Sequence, residues 1–293
     1  MTYALETAVY GKDRVRLLKV VRKGKWHEVT ELTVRVMLEG DIATSYTKAD
    51  NSIVVATDSM KNTVYIKAKE AASVQPFEHF ACDLAHHFVS TYSHIHQCHI
   101  DITQHRWNRL LVHGEIHPHA FSKESDVDTT QVTYKRNGGY TIRSGLKDLC
   151  VLKSTGSSFT NFVRDKYTTL PEAEDRVFST VVESKWEYPT THHPKEYNFE
   201  LARQEVRRLT LEAFVEPSPS VQATLYNTAH RFLDSCKDVA RIYFAMPNVH
   251  YFPVNLKPFG MENEGASATV YQPLSDPSGL ITATLSRSDR AKL

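Results

Sequence analysis

Glu31-Leu32-Thr33-Val34-Arg35-Val36-Met37-Leu38 alternates apolar and more polar side chains with a period of two. That is the pattern of a strand with one buried face, carried by Leu32, Val34, Val36 and Leu38. Val15 to Arg22 precedes it across a Lys23-Gly24-Lys25 turn, so the two stretches predict a long antiparallel hairpin. Thr57-Asp58-Ser59 then supplies residues of the kind that cap a helix start, leading into Met60 to Ala71. Pro76 opens a second helix in which Phe77, Ala81, Leu84, Phe88 and Ile95 keep a spacing of three to four. Two further strands are expected from Cys98 to Val112 and from Glu115 to Phe121.

The second half runs through the same kinds of element. Val132 to Lys135 and Tyr140 to Leu152 flank Asn137-Gly138-Gly139, a hairpin turn signal. Phe178, Thr180, Val182, Ser184, Trp186 and Tyr188 share one face of an added strand, and Phe199, Ala202, Val206, Leu209 and Ala213 mark a helix. Pro217-Ser218-Pro219-Ser220 caps the next helix, Val221 to Leu233, and strands follow at Val239 to Met246 and His250 to Leu256. The expectation is an α+β fold of two tandem ββααββ domains, residues 1–130 and 131–285, with a tail at 286–293. Antiparallel sheets with helices on one face leave sheet edges that subunits can close into a barrel.

Composition narrows the function classes. At 293 residues and 41% hydrophobic content the chain can bury one large core, or two of about 140 residues. Thirty-five basic against thirty-four acidic residues gives no basic excess for a nucleic-acid backbone. No stretch approaches the roughly 18 apolar residues of a membrane span, and the N-terminus has no signal-peptide pattern. A soluble intracellular protein is expected, with Cys82, Cys98, Cys150 and Cys236 as reduced packing residues. Ten of the fifteen histidines fall between His79 and His119, but no Cys or carboxylate completes an evident ligand set, so no metal site is expected.

The most informative segment for function is Val151 to Arg176. It begins as a strand, turns through Ser, Thr and Gly, and then places Phe159, Phe162, Val163, Tyr167 and Leu170 at helical spacing. An amphipathic helix with a surface Arg accounts for most of it. Phe159, presented at the turn, and Arg176, behind Pro171 and a run of carboxylates, also offer an aromatic plate and a fork of donors. Those suit a flat, anionic heterocycle. Leu152-Lys153-Ser154-Thr155, Ser157-Ser158-Phe159, Phe162, Tyr167, Thr168-Thr169-Leu170 and Arg176 together resemble the signature of the urate oxidase (uricase) family. Five more blocks resemble that family in its own order: Tyr10-Gly11-Lys12-Asp13, Thr47-Lys48-Ala49-Asp50-Asn51-Ser52, Val55-Ala56-Thr57-Asp58-Ser59, Ser220-Val221-Gln222-Ala223-Thr224 and Asn248-Val249-His250-Tyr251-Phe252.

The resemblance implies a tandem tunnelling fold and a homotetramer with active sites between subunits. It implies cofactor-free oxidation of urate by dioxygen and water to 5-hydroxyisourate and hydrogen peroxide. Lys12, Thr57 and His250 would form the proton relay, Lys12 and Thr57 from one subunit and His250 from its neighbour. Phe159 would stack on the purine, Arg176 and Gln222 would grip its polar edge, and backbone at Asp58 and Val221 would add hydrogen bonds. Asn248 would hold dioxygen or water above the plane. Without the resemblance, Lys12 is a solvated lysine, Thr57 a helix cap, Gln222 a residue of a helix start, Asn248 a turn residue and His250 an imidazole at a strand mouth. Another tunnelling-fold enzyme acting on a pterin or GTP, and a non-catalytic purine binder, remain alternatives. Ala291-Lys292-Leu293 resembles the Ser-Lys-Leu peroxisomal address, which implies an import receptor as partner and residence in the peroxisome. Departures from the family pattern are this Ala and Pro171, which is expected to end the helix before Arg176.

Overall fold

A computed structural model of the chain describes residues 3–274 and 276–287. The chain forms two compact units: Met1–Leu146 with Lys185–Arg203 and Asp238–Ala240, and Lys147–Ser184 with Gln204–Lys237 and Arg241–Leu293. The units interleave along the sequence.

In the first unit β1 (Tyr10–Lys23) and β2 (Trp26–Gly40) form the expected hairpin, β2 pairs with β3 (Ile95–Val112), and β3 pairs with β4 (Glu115–Lys135), all antiparallel. Leu32, Val34, Val36 and Leu38 are each 0% exposed, which makes the β2 alternation the backbone of the core. Burying each such side chain contributes about 1.5–3 kcal/mol. After the short α1 (Ala43–Thr47), α2 (Thr57–Glu70) packs on β1, and α3 (Phe77–Thr91) packs on β3 and β4 through Phe77, Leu84, Ala85 and Phe88. Ile95, expected on the helix, opens β3 instead, because the chain turns extended at Tyr92. Lys19 Nζ donates to the Ala68 and Ala71 carbonyls, tying the end of α2 to β1. Val132 to Lys135 is the end of β4 and not a strand of its own, so residue 130 lies inside β4. Bulges at His105/Trp107 and Arg109/Leu111 let β3 and β4 continue together far beyond Phe121. The Asn137-Gly138-Gly139 turn is present, with Gly139 at φ +75°.

Elements β5 (Gly139–Lys153), β6 (Phe178–Glu187) and α4 (Phe199–Val215) each have residues in both units. The apolar face expected along β6 is buried at Phe178, Thr180, Val182, Ser184 and Trp186. In the second unit α5 (Val221–Ser235) packs on β7 (Arg241–Pro253) and β9 (Leu280–Ser286), and β7 pairs antiparallel with β9 and with β8 (Tyr271–Leu274). The two strands expected around Pro247-Asn248 are one continuous β7. It changes partner there, from β9 at Pro247↔Leu280 to β8 at His250↔Leu274, so the proline needs no break. Of the cysteines, Cys82, Cys98 and Cys236 are buried thiols, but Cys150 is exposed on β5 and is not a packing residue. No helix among the described residues is long and apolar enough to cross a membrane.

Gly11 decides how β1 starts. A Cβ there would sit 1.8 Å from the Val36 carbonyl oxygen, and the register shifts between Lys12 and Val15, with Arg14 at φ +55°. Gly11→Ala must push β1 off β2, at a cost of about 1–3 kcal/mol. The thermal midpoint should fall by roughly 5 °C; an unchanged midpoint in thermal unfolding would contradict this account of the strand.

Candidate active site

In the first unit the start of β1 and the start of α2 are brought together. The Tyr10 hydroxyl accepts from the Val55 amide at 2.8 Å, and burial raises the pKa of that phenol. Thr57 is the first helical residue; the N-cap is Ala56, and no side chain caps the helix. The expected capping role is therefore corrected: the half-buried Thr57 hydroxyl makes no hydrogen bond among the described residues and is open to other partners. The Asp58 carboxylate is held by Lys61 at 2.6 Å and Asn62 at 2.9 Å. The Lys61 hydrogen bond chiefly depresses its pKa, and the Lys12 charge adds to the effect. Lys12, Thr57 and Asp58 thus share one neighbourhood, beside first-turn N–H groups that have no intrahelical acceptor.

In the second unit, the helix expected across Phe159 to Leu170 does not form. Phe159 pairs instead with Ala173 in a two-residue antiparallel bridge (2.7 and 3.0 Å), the Asn161 amide donates to Glu172 at 3.1 Å, and Asn161 stands at φ +56°. Asp165 closes a turn on Tyr167 and Thr168. Asn and Asp side chains here hydrogen-bond nearby backbone and compete with a helix, and the apolar face has nothing to pack on: Val163 is 94% and Tyr167 77% exposed. Pro171 accordingly ends no helix.

The excursion folds back so that the Arg176 guanidinium lies 5.4 Å from the Phe159 ring centroid. Phe162 backs Phe159 in a parallel stack at 4.8 Å. Arg176 Nε is buried without a hydrogen-bond partner, and desolvation lowers the guanidinium pKa. Ser218 pairs with Gly156 and Ser158 (both 3.2 Å), which brings the approach to α5 beside this loop. Ser220 caps α5 by accepting from Ala223, so Val221 and Gln222 begin the helix, Val221 buried and Gln222 exposed.

Asn248 and His250, two residues apart, share one face of β7. The Asn248 amide N–H donates to Gly279 at 2.8 Å, while its side-chain Oδ1 is buried without a partner. His250 lies within the strand and not at a strand mouth, its ring 5.7 Å from that of Phe252. Among the described residues no hydrogen bond or ring contact joins Asn248 or His250 to Phe159, Arg176 or Gln222.

The family model described as Uricase matches residues 8–133 and 142–282. The chain belongs to the uricase family. It is 43% identical over 293 residues to a uricase of Schizosaccharomyces pombe, with 98% of each chain covered. It is 44% identical over 298 residues to a uricase of Aspergillus flavus, with 97% of each covered. The uricase structure from Arthrobacter globiformis superposes with a TM-score of 0.88 at 36% identity, over 100% of this chain and 98% of that one. The fold is the α+β tunnelling fold, and the chain is an oxidoreductase, a urate oxidase.

Of the ten histidines of residues 79–119, five have local partners in His96 with Asp41, His99 with Glu39 and Thr133, His105 with Thr33, and His117 against His119, while His79 and His94 each keep a buried Nε2 without a hydrogen bond. Among the described residues no group of three or more His, Cys, Asp or Glu is placed to hold a metal ion. Two residues that build the site carried only a faint signal in the sequence. Tyr10 stood inside a family block, and Asp175 stood in the run of carboxylates before Arg176.

The fork of Arg176, its Nε unpartnered beside the Phe159 ring, has the donor geometry that suits a planar anion. Arg176→Lys should raise the KM for urate about tenfold and lower kcat less. Steady-state kinetics showing an unchanged KM would contradict this.

Proposed function

We propose that the chain converts urate, dioxygen and water to 5-hydroxyisourate and hydrogen peroxide without a cofactor, with substrate holding and proton handling assigned to different residues. The observation that carries the reading is the buried, unpartnered Arg176 Nε beside the Phe159 ring. An unmet charged donor at the edge of an aromatic plate is complementary to a planar anion. Phe159 stacks on urate, Arg176 and Gln222 grip its polar edge, and the backbone N–H groups of Val221 and Asp58 add hydrogen bonds. Asn248 holds water or dioxygen over the ring: its orphaned Oδ1 supports the hold on water, which can donate to it, and the contact to dioxygen falls to its NH₂.

The electron-rich urate dianion itself reduces oxygen. The residues therefore need to withdraw the second proton and direct water onto the oxidised ring. Lys12, Thr57 and His250 perform this relay, and the uncommitted Thr57 hydroxyl supports it. The split of these residues, with Lys12, Thr57 and Asp58 in one compact unit and the others in the second, fits a homotetramer whose sites take Lys12 and Thr57 from one subunit and His250 from its neighbour. We also propose the tandem repeat of residues 1–130 and 131–285, and residence in the peroxisome through recognition of Ala291-Lys292-Leu293 by an import receptor. Those three residues lie outside the described ones.

Metal-stripped protein should consume urate, followed by its absorbance, and release one peroxide per urate; dependence on an added metal would overturn the cofactor-free reading. Lys12→Met and Thr57→Ala should each lower kcat by about 10²–10⁴-fold with the thermal midpoint kept. Wild-type turnover in either variant would dismiss the relay. Deleting Ala291 to Leu293 should leave activity intact and the protein cytosolic in a fluorescence localisation experiment, whereas continued peroxisomal import would refute the address.

A further inference from the structure

Phe159 and Arg176 are separated by a turn-rich excursion without a helix, so some other contact must hold them at 5.4 Å. The Phe159–Ala173 bridge fixes one strand of the fold-back. A second knot lies two residues further along. Asp175 Oδ1 accepts from the amides of Gly156 (2.7 Å), Ser157 (3.3 Å) and Arg176 (3.0 Å), and its Oδ2 accepts from the Thr155 hydroxyl (2.5 Å). Gly156 is at φ +77°, the left-handed conformation that turns successive N–H groups toward one anion. The same Gly156–Ser158 stretch pairs with Ser218, just ahead of Val221 and Gln222.

We infer that Asp175 is a positioning residue for urate binding, its carboxylate locking the Thr155–Ser157 turn to Arg176 so that the Phe159 plate, the Arg176 fork and the start of α5 are preset for the substrate. The inference rests on the proposed role of Phe159 and Arg176. Preorganisation of this kind lowers the cost of binding and does not touch the proton relay. The hydrogen bonds it receives, the Thr155 hydroxyl first, hold the Asp175 pKa below the usual carboxylate range and so favour the anion.

Removal of the carboxylate should therefore appear in KM and not in kcat. Asp175→Ala should raise the KM for urate about tenfold or more, with kcat within roughly threefold. Asp175→Asn keeps an oxygen for the three amides and turns its NH₂ to the Thr155 hydroxyl, so it should restore KM to within a few-fold of wild type. Thr155→Val, lacking one donor, should raise KM about threefold with an unchanged thermal midpoint, and it carries the test if Asp175→Ala does not fold. A merely structural role would lower kcat and the thermal midpoint together without rescue by Asn, and that result overturns the inference. So does a KM in Asp175→Ala, or in Thr155→Val if that variant carries the test, indistinguishable from wild type. If wild-type protein fails to turn over urate, the parent reading and the inference fall together; normal wild-type turnover with an unshifted variant KM sinks the inference alone.

Discussion

A guanidinium taken out of water keeps its charge but loses its solvent partners, and each donor left unmet costs about 1–3 kcal/mol. Arg176 is in that position: half-buried, its Nε without a partner, its charge against the Phe159 ring. The surroundings are built to keep it so. Asp175, the nearest carboxylate in sequence, directs its oxygens to backbone amides and the Thr155 hydroxyl. In the proposed reaction the cost is recovered when urate binds. A purine without a matching oxygen leaves the donor unpaired, which is how such a site rejects close analogues.

The proposed proton relay begins elsewhere. Lys12, Thr57 and Asp58 gather where Gly11 allows β1 to approach β2 and where Tyr10 ties β1 to the loop before α2. The Asp58 side chain is occupied by Lys61 and Asn62, so the proposed ligand contact at this residue falls to its backbone N–H. Thr57 is placed at the helix start without being consumed by it. In the proposed site the Phe159–Arg176 loop is separate from β1 and the start of α2, which carry Lys12 and Thr57, so a substitution in that loop should leave the kinetic signature of the relay intact.

Much of the fold is legible in the chain because a single buried face imposes its period. The alternation at Leu32–Leu38 and along Phe178–Trp186 survives in the structure, as do the helices begun at Phe77, Phe199 and Val221. Reading fails where that constraint lapses. The far ends of β3 and β4 expose Leu111, Val112 and Ile116 and contain bulges that reset the alternation, so their length is hidden. Val163, Tyr167 and Leu170 have helical spacing, but their side chains are exposed and the local Asn and Asp hydrogen bonds prevail. The positions Lys12, Thr57 and His250 came from family resemblance, since each is ordinary by spacing alone, whereas Phe159 and Arg176 were already suggested by their own chemistry and gained their roles from the resemblance. Asp175 looked like one more solvated carboxylate because its partners are backbone amides, which no side-chain pattern reveals.

The account stands on two separate groups of residues completing one site in the proposed assembly. Co-assembly of two inactive variants tests this most directly: Lys12→Met and Arg176→Ala, unfolded and refolded together, with urate turnover measured against each refolded alone. If Lys12 and Arg176 of one site come from different copies, mixed assemblies contain sites with both wild-type residues and activity returns well above either parent. Activity no greater than the parents', in oligomers shown to be mixed, would contradict the account.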